Sequence, residues 1–166
     1  MTKRRTTVKM PLCVLAALGA LACTVASARE SVAAPLEHRW VYLATNLLVD
    51  RNVEDAAVLL ERAAKAAPDD IRVRIALGWC YKRTGRLDRA IDALEQALLV
   101  EPEEPLLRYN LACYLSLAGR KRRALRYLSQ AFAIDPAYRE LAEVESDFDS
   151  LRNDPEFQAI CAGVNR

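Results

Sequence analysis

The chain has 166 residues, 52% of them hydrophobic, few glycines and prolines, and a net charge of +2. That length holds one domain with a tail, and a composition dominated by Ala and Leu, without β-branched runs, points to an all-α chain. Residues 1–28 carry four basic and no acidic side chains, so the remainder is net −2 and nothing global argues for nucleic acid as a partner.

The N-terminus reads as a targeting segment. Lys3, Arg4, Arg5 and Lys9 precede an uncharged run, residues 11–28, that ends in Ala26-Ser27-Ala28. This is the basic, apolar and small-residue layout of a secretory signal peptide, with cleavage after Ala28. Left uncleaved, the run of 18 uncharged residues stands at the lower limit for a membrane helix. Ala20-Leu21-Ala22-Cys23 also resembles a bacterial lipobox, with Ala20 where Leu is preferred. In that reading residues 1–22 are removed and Cys23 is lipidated. Arg4-Arg5 resembles a twin-arginine signal, with Thr7 in place of the usual Phe. Each reading leads to export, to the periplasm or cell envelope, with membrane association through a lipid anchor or an uncleaved signal as the alternative to a soluble form. Residues 29–36 read as a linker.

Three tandem units follow, 37–70, 71–104 and 105–138, with a period of 34 residues. Leu43, Ala56, Leu60, Ala63 and Pro68 recur as Leu77, Ala90, Leu94, Ala97 and Pro102, then as Leu111, Ala124, Leu128, Ala131 and Pro136. Trp40, Arg74 and Arg108 stand at a position that varies freely. Each unit is predicted to be a helix, a turn and a second helix. In the second unit the helices are Arg72 to Lys82 and Leu87 to Leu99, separated at Gly85 and stopped by Pro102. In the third, Pro105 suits a first helical position and Gly119 makes the turn. The first has Asp50-Arg51-Asn52 instead, where Asn is expected to supply the left-handed conformation. The small residues mark close approach of neighbouring helices, and each unit must stack to cover its apolar stripe.

The segment "IALGWCYKRTGRLDRAIDALEQALLVEP" carries Leu77, Gly78, Tyr81, Gly85, Ala90, Ala97 and Pro102 in the order of the tetratricopeptide repeat (TPR) family, which it resembles. "YNLACYLSLAGRKRRALRYLSQAFAIDP" matches with Ala112 in place of Gly. Beyond it, "ESDFDSLRNDPEFQAI" in residues 139–166 resembles the helical cap that closes bacterial TPR arrays, with Asp154 as N-cap and Pro155 at the first helical position. Phe148, Leu151, Phe157 and Ile160 are expected to cover the open end of the last repeat.

The resemblance implies an α-solenoid that binds protein or peptide in a concave groove lined by first helices. Its groove positions are Val41 and Thr45, flanked by His38, Leu48 and Val49, in the first unit. They are Arg72, Ile75, Trp79, Lys82 and Arg83 in the second, and Leu106, Tyr109, Cys113, Ser116 and Leu117 in the third. Trp79 and Tyr109 read as aromatic anchors, or as residues packed on each other and on 29–36. The positions that grip a partner's terminal carboxylate in some TPRs hold Val41, Thr45, Ala76, Leu106 and Asn110, so such a clamp is not expected.

Charge varies along the array: the first unit is net −3, the second neutral, the third +5 and the cap −4. Arg120, Lys121, Arg122, Arg123 and Arg126 form a basic edge. It reads either as a site for anionic lipid or an acidic partner, or as a solvated edge neutralised by the acidic cap (Glu140, Glu143, Glu145, Asp147, Asp149). His38 is the only histidine, and no phosphate loop, paired metal ligands or C-x-x-C is present, so no cofactor, metal or enzymatic activity is expected. Cys80 and Cys113 read as small packing residues. The expected role is an exported adaptor; the rivals are a structural or self-associating envelope protein and an envelope-assembly factor at the membrane.

Overall fold

A computed structural model describes residues 52–163, and every element among them is helical. Helix α1 (Val53–Ala66) is the second helix of the first unit. Helices α2 (Ile71–Arg83) and α3 (Leu87–Val100) form the second unit, and α4 (Pro105–Leu117) and α5 (Lys121–Ile134) the third. The tail holds α6 (Tyr138–Val144), a 3₁₀ turn (Ser146–Leu151) and α7 (Pro155–Cys161).

The turn chemistry repeats with the sequence. Gly85 has φ 74° and Gly119 φ 70°. At the first, Arg86 N–H donates to Tyr81 C=O at 2.8 Å and Gly85 N–H to Lys82 C=O at 3.1 Å. Arg120 and Gly119 make the same two bonds, to Leu115 and Ser116, so both first helices end in a Schellman motif that needs a left-handed residue. Asn52 does otherwise. Its φ is −89°, and its side chain accepts from Asp55 N–H, so it caps α1 rather than making a left-handed turn. Asp50 and Arg51 lie outside the described residues. Asp70, Glu104 and Asp154 accept from the first-turn amides of α2, α4 and α7.

Stacking runs α1 on α2, α2 on α3, α3 on α4 and α4 on α5. The core is the repeated set Ala56, Leu60 and Ala63, then Ala90, Leu94 and Ala97, then Ala124, Leu128 and Ala131, all essentially without exposure. Each buried Leu contributes about 1.5–3 kcal/mol, and the alanines let the axes approach. A Cβ on Gly78 would meet Ala90 O, Leu94 Cγ and a Tyr114 ring carbon, each at 3.4 Å, so this position packs against the second helix of its own unit and the first helix of the next.

Two polar contacts repeat between units. Arg74 Nε donates to Pro68 C=O at 2.8 Å, and Arg108 makes the equivalent bond to Pro102 C=O. The position that looked free in the sequence therefore ties both described first helices, α2 and α4, to the Pro turn before them. Arg89 pairs with Glu61 at 3.5 Å, and Arg123 pairs with Glu95 one repeat on. The next step of that ladder would set residue 157 against residue 129. These are Phe157 and Ser129, so the polar ladder ends where the cap begins.

Candidate protein-binding face

The face of α2 and α4 is where the groove was expected, and its two halves differ. On α4, Tyr109 is 1% exposed and Cys113 2%. The Tyr109 ring lies 5.0 Å from Tyr138 and 5.8 Å from Phe148, the latter edge-on, and Phe148 lies 5.5 Å from Phe157. These aromatic pairs add about 0.5–1.5 kcal/mol each beyond burial. The 3₁₀ turn packs along α4, and Ser150 Oγ lies 3.4 Å from Ser116 Oγ. Across the face, Lys82 Nζ pairs with the Asp147 carboxylate and sits 5.7 Å from the Tyr114 ring centre. The chain's own residues 146–151 thus cover the half of the face that belongs to the third unit.

Arg152 sets that fold-back. It donates to Glu143 C=O, to Glu145 C=O at 2.7 Å and to Asp149 Oδ1 at 2.8 Å. These bonds hold the extended Glu145 between α6 and the turn. Phe148, Leu151 and Phe157 are buried, as a cap requires, but Phe148 does so by lying on Tyr109 as well as closing the end.

The expected groove residues separate accordingly. Val41 and Thr45, with His38, Leu48 and Val49, lie outside the described residues, as does Cys23. Ile75 and Trp79 are buried, Trp79 at 6% exposure. The rings described against Tyr109 are Tyr138 and Phe148, not Trp79. Arg72 is held by Asp70, with Nε–Oδ1 at 2.9 Å and Nη2–Oδ2 at 2.7 Å. Burial pushes the Asp70 carboxyl up, but the bonds and charge of Arg72 outweigh that and hold it below the ordinary range. Leu106 is half-buried against the core. Arg83 remains on the surface with its guanidinium 5.9 Å from the Trp79 ring centre and no carboxylate partner among the described ion pairs. Leu117, at the same unit position one repeat on, is 42% exposed. The exposed groove positions of the described face are therefore Arg83, at the end of α2, and Leu117 at the same unit position.

The basic edge is largely paired, but not with the acids expected. Arg120 meets Asp88 at 2.6 Å, Arg123 meets Glu95, and Lys121 meets Asp154, which N-caps α7. The bond to Asp154 raises the Lys121 pKa, and the same bond lowers that of Asp154. Asp147 is taken by Lys82 and Asp149 by Arg152. Arg122 and Arg126 have no carboxylate partner among the described ion pairs.

Chemistry is sparse. No group of three or more His, Cys, Asp or Glu among the described residues could hold a metal ion. Cys80 and Cys113 are both buried. Burial, with a smaller effect of Glu54, pushes the Cys80 thiol up to about 12, which makes it inert as a nucleophile at neutral pH.

The comparisons with known proteins agree with this architecture. The tetratricopeptide repeat family model matches residues 47–112. Among curated proteins none matches. A solved structure of MamA (MSR-1 form) superposes with a TM-score of 0.62 at 20% identity, over 92% of this chain and 91% of that one. A point mutant of MamA gives 0.57 at 25% identity, over 74% and 97%. The Yersinia enterocolitica type III secretion chaperone SycD, solved in complex with a peptide of the translocator YopD, gives 0.62 at 22% identity, over 82% and 100%. Residues 47–112 thus match the tetratricopeptide-repeat family, and the described residues are built of helix pairs of that kind, closed by a C-terminal helical segment.

Proposed function

We propose that the chain is an exported, non-enzymatic adaptor that binds a segment of another protein on the face of its first helices, at the α2 side. One observation carries this reading. Arg83 lies exposed over the buried Trp79 ring, with no carboxylate partner among the described ion pairs, while the α4 side is filled by the chain's own turn. An arginine backed by an aromatic ring is the kind of group that dominates protein interfaces. SycD, of the same fold, was solved with a peptide of a translocator, which supports a peptide or protein partner without naming it.

Export rests on the N-terminal residues alone. No helix among the described residues is long and apolar enough to cross a membrane. Mass spectrometry of the mature protein separates the two forms: an acylated Cys23 marks a lipoprotein, and a free Arg29 marks a soluble one. A partner co-purified from the native host and then bound to purified protein tests the adaptor reading. Arg83→Ala is expected to weaken binding with helicity unchanged. Equal binding by wild type and Arg83→Ala would set the reading aside.

A second reading has its own observation. Tyr109 and Cys113 are covered from within, which suits a wholly closed face and a structural role, in the chain itself or in a self-associated form. Light scattering that shows assembly, together with no partner recovered, would favour it.

A further inference from the structure

Four arginines at the turn edge and on the adjoining helix α5 have no carboxylate partner among the described ion pairs: Arg83, Arg86, Arg122 and Arg126. Arg83 ends α2, Arg86 precedes α3, and Arg122 and Arg126 lie in the first half of α5. The turns of the second and third units are neighbours, because Arg120 of one reaches Asp88 of the other at 2.6 Å. Three of the four guanidiniums lie over rings: Arg83 over Trp79 at 5.9 Å, Arg86 over Tyr81 at 5.5 Å and Arg126 over Tyr127 at 5.4 Å. A ring contact restricts a guanidinium and lowers the ordering cost of binding, yet uses no carboxylate. Arg86 spends only its Nε, on the Thr84 hydroxyl at 3.1 Å. Nearby acids are already engaged: Asp88 by Arg120, Asp147 by Lys82, Asp154 by Lys121 and Glu95 by Arg123. The edge is left with an excess of oriented, bidentate-capable donors.

We propose that this turn edge binds a carboxylate-rich segment of a partner protein, through Arg83, Arg86 and Arg122, with Arg126 extending the site along α5. A protein segment fits better than a membrane surface for two reasons. The donors are guanidiniums, suited to bidentate carboxylates. They are also interleaved with ion-paired acids at Asp88 and Asp154, which a uniformly anionic surface would meet as repulsion. The inference goes beyond the groove, since Arg86, Arg122 and Arg126 were not among its positions; only Arg83 is shared.

The test uses the full chain and a fluorescein-labelled peptide of alternating glutamate and serine, followed by anisotropy. Arg86→Glu and Arg122→Glu avoid Arg83, so their result stands apart from that of the groove reading. Lys65→Glu, an exposed position on α1 with the charge change of either single substitution, is the control. Binding is expected to fall as salt rises. It is expected to weaken roughly tenfold or more with Arg86→Glu plus Arg122→Glu, a factor worth about 1.4 kcal/mol, and to stay within about twofold for Lys65→Glu. Circular dichroism confirms that the variants fold. Three outcomes overturn the proposal: no binding of the peptide, equal weakening by Lys65→Glu, or binding to mixed phosphatidylcholine–phosphatidylglycerol vesicles without binding to the peptide.

Discussion

At the scale of single residues, the repeat positions divide into those set by backbone shape and those set by packing. Gly85 sits at φ 74° with nothing within 4 Å of where a Cβ would go, so its constraint is conformational. Gly85→Ala is expected to cost about 1–2 kcal/mol from the left-handed backbone alone, seen as a lower melting temperature. Gly78 is helical and constrained by neighbours instead, at ordinary contact distance, so Gly78→Ala is expected to change the melt far less. The titrating groups of α2 give a second residue-scale prediction. Burial pushes Cys80 from 9.0 to about 12, and burial followed by the bond to Glu61 pushes Tyr81 from 10.0 to about 12. In the unfolded chain both lose their protons earlier, so the unfolded state binds fewer protons through this window. Stability is therefore complete below pH 9.0 and falls as pH rises toward about 12. Denaturation at stepped alkaline pH checks this, and Cys80→Ala is expected to remove the thiol's share of the slope.

At the scale of elements, the repeat helices were legible almost to the residue. The periods of small, large and Pro residues report backbone geometry directly, and the glycines mark the Schellman turns. Helix α2 starts one residue before Arg72 and ends one after Lys82, within ordinary fraying. The paths of the tail were not legible. "ESDFDSL" has no helical period, and the break at Glu145 is imposed from Arg152, whose guanidinium holds two carbonyls earlier in the chain. Such a contact leaves no spacing to read. The same holds for Arg74 and Arg108: their shared bond to a Pro carbonyl was visible only as a recurring Arg, which is common on surfaces. The fold-back makes an element-scale prediction. Phe148→Ala should lower stability by about 3–5 kcal/mol, because the ring fills the space between Tyr109 and Phe157. Val144→Ala, at 80% exposure, should fall within about 0.5 kcal/mol of wild type. Urea denaturation of both variants measures the contrast.

At the scale of the whole molecule, the repeat register assigned a face to the first helices, and the structure shows what lies on its α4 half. Register placed Tyr109 and Cys113 in a groove; both are buried, Tyr109 against Phe148 of the 146–151 turn. Charge bookkeeping by unit was correct in sign, yet the third unit's surplus is met mainly by Asp88 and Glu95 of the second unit and Asp154 of the cap. What stays exposed there is Arg83 at the end of α2, where a partner is proposed to dock while the 3₁₀ turn stays in place. Hydrogen exchange on the full chain, with and without a co-purified partner, separates docking there from displacement of the turn. Docking at the α2 end is expected to bring new protection in α2, with 146–151 and α4 unchanged. Loss of protection at 146–151 with gain in α4, or no change in α2, would rule that mode of binding out.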